Sequence, residues 1–275
     1  MEMGRIARGW QMTKMSLRVI RKDKELLLFP ILSGIFTIAL LASFVAGIFF
    51  TFGFDFEEGA NAWIMWGLMV VFYFASFFIT FFFNAAVIGC ATMRLEGGNP
   101  TFSDGLRIAA QNAGRIFLWA LVAATVGLII RAIQQRVGFL GKMILGAIGV
   151  AWTIVTYFVV PVLIYEKVGP WQAVKRSASI LKKTWGEALV GNLGLGAVFV
   201  LLGLLGIVVI VIGALIGSLT ALIVALVAVI VYWVILGIVY SAAESVLVAA
   251  LYRYATTGKV TEDMQEVPYG NPWTK

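Results

Sequence analysis

The 275-residue chain has no histidine. That absence removes imidazole general-base catalysis, histidine-ligated metals and histidine proton relays together. Its one cysteine, Cys90, excludes an intrachain disulfide and, lying in an apolar run, reads as an inert small core residue. Charge is scarce, with 13% of residues Asp, Glu, Lys or Arg. There is no G-x-x-x-x-G-K-[ST] phosphate loop, no Ser-x-x-Lys, no paired carboxylates and no HExxH helix. Catalysis, a cofactor and a resident metal are therefore not expected. Asp55, Glu57 and Glu58 have the residue type to ligate a divalent cation, but three acids on a short loop are usually just solvated.

What is present is apolar. With 61% hydrophobic residues and a mean hydropathy of +0.96, the chain reads as a polytopic, all-α membrane protein. A net charge of +7 in a soluble protein would point to nucleic acid; here the basic residues flank apolar runs, so topology accounts for them and no nucleic-acid partner is expected. The first 25 residues are too charged for a cleavable leader, and the first span should stay as an anchor.

Spans are expected at about 26–52, 63–93, 115–133 and 143–165, with two more between Ala188 and Tyr252, divided near Gly213–Ser218. Six crossings with the N-terminus inside place 18 of the 21 Lys and Arg residues on one side. Such a bias puts both termini in the cytoplasm and the chain in the cytoplasmic membrane. The second span exceeds the ~20 residues a bilayer needs, so it must tilt, bend or project. Pro161 should kink the fourth. Residues 1–255 make one membrane domain, and 256–275 a polar, partly mobile tail.

The segment Gly169–Trp185 reads as a helix with Pro170 at its first position. Trp171, Val174, Ala178, Leu181 and Trp185 form one face; Lys175, Arg176, Lys182 and Lys183 fall mostly on the other. Such a helix should lie in the membrane interface against anionic lipid. Trp10-Gln11-x-x-Lys14-x-Ser16 repeats Trp171-Gln172-x-x-Lys175-x-Ser177, and Phe102, Arg107 and Ala109 form a weaker middle copy with Thr101-x-x-Asp104 as a capping box. The first copy sets Met3, Ile6, Trp10, Leu17 and Ile20 on one face. Three units, about 1–98, 99–168 and 169–255, each pair a basic helix with a transmembrane hairpin. Lys14, Arg18, Arg107, Lys175, Arg176, Lys182 and Lys183 are the expected anionic-lipid contacts.

Glu244 is the only acid deep in a span. It either relays protons or binds a cation, or is a neutral carboxyl bonded to a neighbouring helix, with Asn84 or Asn192 as partner. Ser241 and Ser245 adjoin it. Gly213, Gly217, Ala221 and Ala225, and Gly237, Ser241, Ser245 and Ala249, form small-residue stripes that allow helix packing or line a narrow pore. The Phe77–Phe83 run is bulk for lipid and core, or lines a cavity for a lipid tail.

Gly9-Trp10, the run Lys22-Asp23-Lys24-Glu25-Leu26-Leu27-Leu28-Phe29-Pro30-Ile31-Leu32-Ser33-Gly34 and Ala173-x-x-x-Ser177 resemble an uncharacterised family of six-span archaeal and bacterial membrane proteins. The third unit and Leu251-Tyr252-Arg253-Tyr254 are similar to the membrane domain of some glycerophosphodiester phosphodiesterases, whose soluble catalytic domain this chain lacks. The resemblance implies a fold and a membrane location but no activity. Two functions follow as expectations: a non-enzymatic scaffold or assembly factor that binds anionic lipid, or an oligomeric channel or transporter using Glu244, Asn84 and the Gly/Ser stripe. A subunit of a larger membrane complex is a third.

Overall fold

The computed structural model describes residues 5–52 and 62–260. Met3, the acidic loop with Asp55, Glu57 and Glu58, and the tail from 261 lie outside them. Every regular element among the described residues is helical. The α-helices are α1 (Arg5–Lys22), α2 (Leu28–Phe52), α3 (Ala62–Leu95), α4 (Phe102–Gln111), α5 (Ala113–Gln134), α6 (Phe139–Val155), α7 (Val159–Tyr165), α8 (Pro170–Leu215) and α9 (Leu219–Thr257). A 3-10 turn at Lys24–Leu27 joins α1 to α2.

Six stretches are long and apolar enough to cross a membrane: Lys24–Phe50, Trp63–Leu95, Ala113–Gln134, Phe139–Tyr165, Ala188–Leu215 and Leu219–Thr257. They fit a multi-pass membrane protein, with the last hairpin turning at Ile216–Ser218. Most bear exposed apolar side chains along their length, as surfaces solvated by lipid must. At 1.5 Å per residue, the 39 residues of α9 reach about 58 Å, nearly twice the ~30 Å hydrocarbon layer.

The chain packs as two compact units, with α2, α3, α4 and α8 contributing to both. The first comprises Met1–Pro30, Cys90–Phe102 and Lys182–Lys275. In its core α1 is laid against α9. Met12, Met15, Val19 and Ile20 are buried, as is every residue of α9 from Ala242 to Tyr252 except Glu244. The backbones of α1 and α8 touch at Gly9 and Gly194, where a Cβ on Gly194 would lie 2.5 Å from the Gly9 Cα. The α8–α9 hairpin is clamped by Trp233, whose indole N–H donates to the Gly203 carbonyl at 3.1 Å, and by Tyr232, whose hydroxyl donates to that of Leu202 at 2.7 Å.

The second unit, Ile31–Gly89 with Ser103–Leu181, holds the other two hairpins. Phe36 meets Phe83 and Phe44 meets Phe72, joining α2 to α3. Phe81 and Trp152 flank Trp119, so the aromatic run serves the core here. Pro161 acts as expected but one turn upstream. It has no N–H for the Tyr157 carbonyl, and the fourth span breaks at Thr156–Phe158 into α6 and α7. Ser177 bridges the break: its hydroxyl donates to the Val155 carbonyl at 2.6 Å and accepts from the Phe158 N–H at 3.0 Å.

Candidate functional site

Two regions concentrate the polar side chains: the basic helices that precede the hairpins, and the Glu244 level of the last hairpin.

Each basic helix is separated from its span by one residue with non-helical angles: Asp23 (φ −136°, ψ 89°), Asn112 (φ −110°, ψ 9°) and Thr184 (φ −119°, ψ 20°). All three are buried polar residues. Their side chains can bond nearby backbone in place of the helix ladder. The Asp23 carboxylate accepts from the Glu25 N–H at 3.2 Å, and the Asn112 amide donates to the Ile108 carbonyl at 2.9 Å. Burial pushes the Asp23 carboxyl above the ordinary aspartate range. The Glu25 N–H and the Arg94 charge oppose that rise, and the Glu25 carboxylate adds to it.

The first and last basic helices share more than a motif. At a constant spacing of 161 residues, Trp10 and Trp171, Lys14 and Lys175, Arg21 and Lys182, and Lys22 and Lys183 are all exposed. Met12 and Ala173, Ser16 and Ser177, Val19 and Ile180, Ile20 and Leu181, and the break residues Asp23 and Thr184 are all buried. The buried face coincides only in part with the one the apolar spacing marks: Ile20, Val174 and Leu181 are buried as marked, the tryptophans are not. Trp10 is 46% exposed and Trp171 63%, whereas Thr13 and Ser16 are fully buried. The apolar side of these helices is covered by protein, and what they expose is tryptophan and cations. Lys14 lies over the Trp10 ring, 5.1 Å from its centroid.

The remaining cations of the set are engaged. Arg176 is half-buried, its Nε 2.8 and 3.0 Å from the two Glu166 oxygens, tying α8 to the end of α7. Arg107 pairs with Asp104 at 3.5 Å, and Arg18 is half-buried. The part of the Lys22–Gly34 run up to Pro30 proves to be a latch within the first unit. Glu25 accepts the Phe102 N–H, Phe29 stacks on Phe102 with centroids 5.0 Å apart, and Leu26 is fully buried. Glu96 and Arg253 form a second tie. Spacing in the sequence signals neither.

In the last hairpin, Glu244 is half-buried and has no hydrogen-bond or ion-pair partner among the described residues. Asn192, on α8, is also half-buried. Ser245 spends its hydroxyl on the Ser241 carbonyl at 2.9 Å, and Ser241 is exposed. Asn84 belongs to the second unit, and its side-chain oxygen is buried without a partner. One turn from Glu244, Tyr240 closes an apolar groove of about 320 Å³ lined also by Gly196, Phe199, Trp233 and Gly237. Gly237 faces open space there, whereas Gly213 packs, since a Cβ would lie 2.5 Å from that of Ala225. Gly217 is the hairpin turn, with φ +73°, a conformation that favours glycine.

A family model described as "Family of unknown function (DUF6159)" matches residues 63–262, so the expectation of an uncharacterised family holds, while the Gly9-Trp10 and Lys22–Gly34 motifs lie outside the match. No curated protein and no solved structure matches the chain.

Proposed function

This chain belongs to the family of unknown function DUF6159, and from its own residues we propose a lipid-binding scaffold or assembly protein of the cytoplasmic membrane, without enzymatic activity. In this reading three repeated units each place a basic helix on the cytoplasmic side, with both termini on that side. One observation carries it: the 161-residue recurrence of exposed Trp and Lys beside buried Ser, Ile and Leu. Protein packing already satisfies the inner face, so the outer face is available to headgroups. Interfacial tryptophan and cations are the residues that such a surface favours.

The test is native mass spectrometry of the full chain released from membranes. Neutralising Lys175, Lys182 and Lys183 to Gln should lower retention of anionic lipid about a hundredfold, at ~1 kcal/mol per charge near the surface. Unchanged retention would sink the reading. The same spectra count subunits, and a homo-oligomer or larger complex is compatible with it.

A second reading, a channel or transporter, is favoured by Glu244, unpaired within a span and one turn from a groove. A closed ring of subunits and a flux abolished by Glu244→Gln would establish it. Flux unaltered by that substitution would remove it.

A further inference from the structure

The turn between α5 and α6 holds a concavity that the lipid-scaffold reading does not use. It measures about 380 Å³ and is lined by Arg131, Gln134, Gln135 and Lys142. Every one of these side chains can donate hydrogen bonds, and two are cations. No Asp or Glu occurs between Asp104 and Glu166, so the helices that build the pocket bring no carboxylate to it. Neither Arg131 nor Lys142 has an ion-pair partner among the described residues.

Two further features point the same way. The Arg131 guanidinium is held over the Tyr73 ring, 5.7 Å from its centroid, and so is placed before any ligand arrives. The 17-residue α6 begins beside the pocket at Gly138, which has no side chain to cap it. The first amides of a helix are then open, and its dipole favours negative charge. Cations that merely anchored the ends of two spans would splay outward. Here they and two carboxamides line one hollow.

We propose that this pocket binds a phosphate-type oxyanion, either a lipid headgroup or a free phosphate. Phe139, Leu140, Met143 and Ile144, all strongly exposed, adjoin the pocket on α6 and would meet acyl chains. The headgroup is therefore the expected source. Arg131 provides the planar fork that matches two phosphate oxygens, and Lys142 the compensating charge. The site lies at the far end of α5 from the basic helix α4 and uses none of the basic-helix cations.

The experiment titrates the full chain in neutral detergent with short-chain phosphatidylglycerol, with phosphatidylcholine and with inorganic phosphate. It uses wild type and the Arg131→Gln/Lys142→Gln variant, each also in a background with Lys175, Lys182 and Lys183 neutralised. The double variant should bind phosphatidylglycerol about a hundredfold more weakly in both backgrounds, roughly tenfold for each charged partner removed. A charge-conserving pair, Arg131→Lys/Lys142→Arg, should recover most of that loss, which a folding defect would not allow. If phosphatidylglycerol alone responds, the ligand is a headgroup; if inorganic phosphate binds and is lost in the same way, it is a free anion. Equal binding by wild type and the double variant, or no recovery in the conserving pair, overturns the proposal. Loss confined to the background without the three lysine changes also overturns it, since the effect would then belong to the basic helices.

Discussion

Two serines that share a motif position carry opposite consequences. Ser177 holds both sides of a broken span, so Ser177→Ala strands the Phe158 N–H and the Val155 carbonyl in an apolar setting. Each stranded group costs about 1–3 kcal/mol, and thermal unfolding in detergent should fall clearly. Ser16 is as deeply buried, yet its hydroxyl has no partner among the described residues. Ser16→Ala removes an unpartnered buried hydroxyl and should therefore hold or raise the melting temperature; an equal loss in both variants would contradict the assignment. Asp23 offers a pH test. Its folded pKa is raised, so the folded state holds the proton more tightly. The favourable contribution is full below the ordinary aspartate value and is lost as pH rises through the raised one. Asp23→Asn supplies the residue that Asn112 provides at the second break and can still accept from the Glu25 N–H. It should match wild type at pH 4, equal or exceed it at pH 7, and flatten the slope between. A steeper slope would refute the sign.

Among the elements, the spans were legible and their packing was not. Hydropathy located six apolar stretches because length and composition suffice for that. Apolar spacing was right only in part on α1 and α8: Ile20, Val174 and Leu181 face in as it marks, but Trp10 and Trp171 face outward while Thr13, Ser16 and Ser177 face in. The physical reason is that lipid is as apolar as leucine. Burial in a membrane protein therefore selects small and hydrogen-bonding residues for close approach as well as greasy ones. Gly9 and Gly194 show this best, since neither lies in a stripe that the sequence singles out, yet they let α1 and α8 touch. Asp23, Asn112 and Thr184 escaped notice because three different residue types perform one task. The crossing makes a sharp prediction. Gly194→Leu overpacks it, at a cost of roughly 1–3 kcal/mol, and should lift α1 from its seat. In a Cys90→Ser background carrying Met12→Cys, maleimide should then label position 12 about tenfold faster than with Gly194 intact. Unchanged labelling would show that the contact is dispensable.

For the molecule as a whole, the distribution of basic residues predicts an orientation that can be measured directly. In the Cys90→Ser background, cysteines at Lys22 and Gln135 should be labelled from opposite faces of sealed vesicles, with position 22 reached only from the cytoplasmic side. Labelling of both from one face would overturn the six-span topology. The pairing of α1 with α9 also has a consequence for biosynthesis. Met12 is made early, whereas Leu247, which meets the same glycine on α8, follows 235 residues later. At 5–20 residues per second, α1 waits on the order of ten to fifty seconds for its binding partner. Throughout that interval Met12, Met15 and Val19 are uncovered on the nascent chain, available to chaperones and proteases. Any chain released by the ribosome before α9 is complete keeps that surface open, and its first helix then reports that the last is missing.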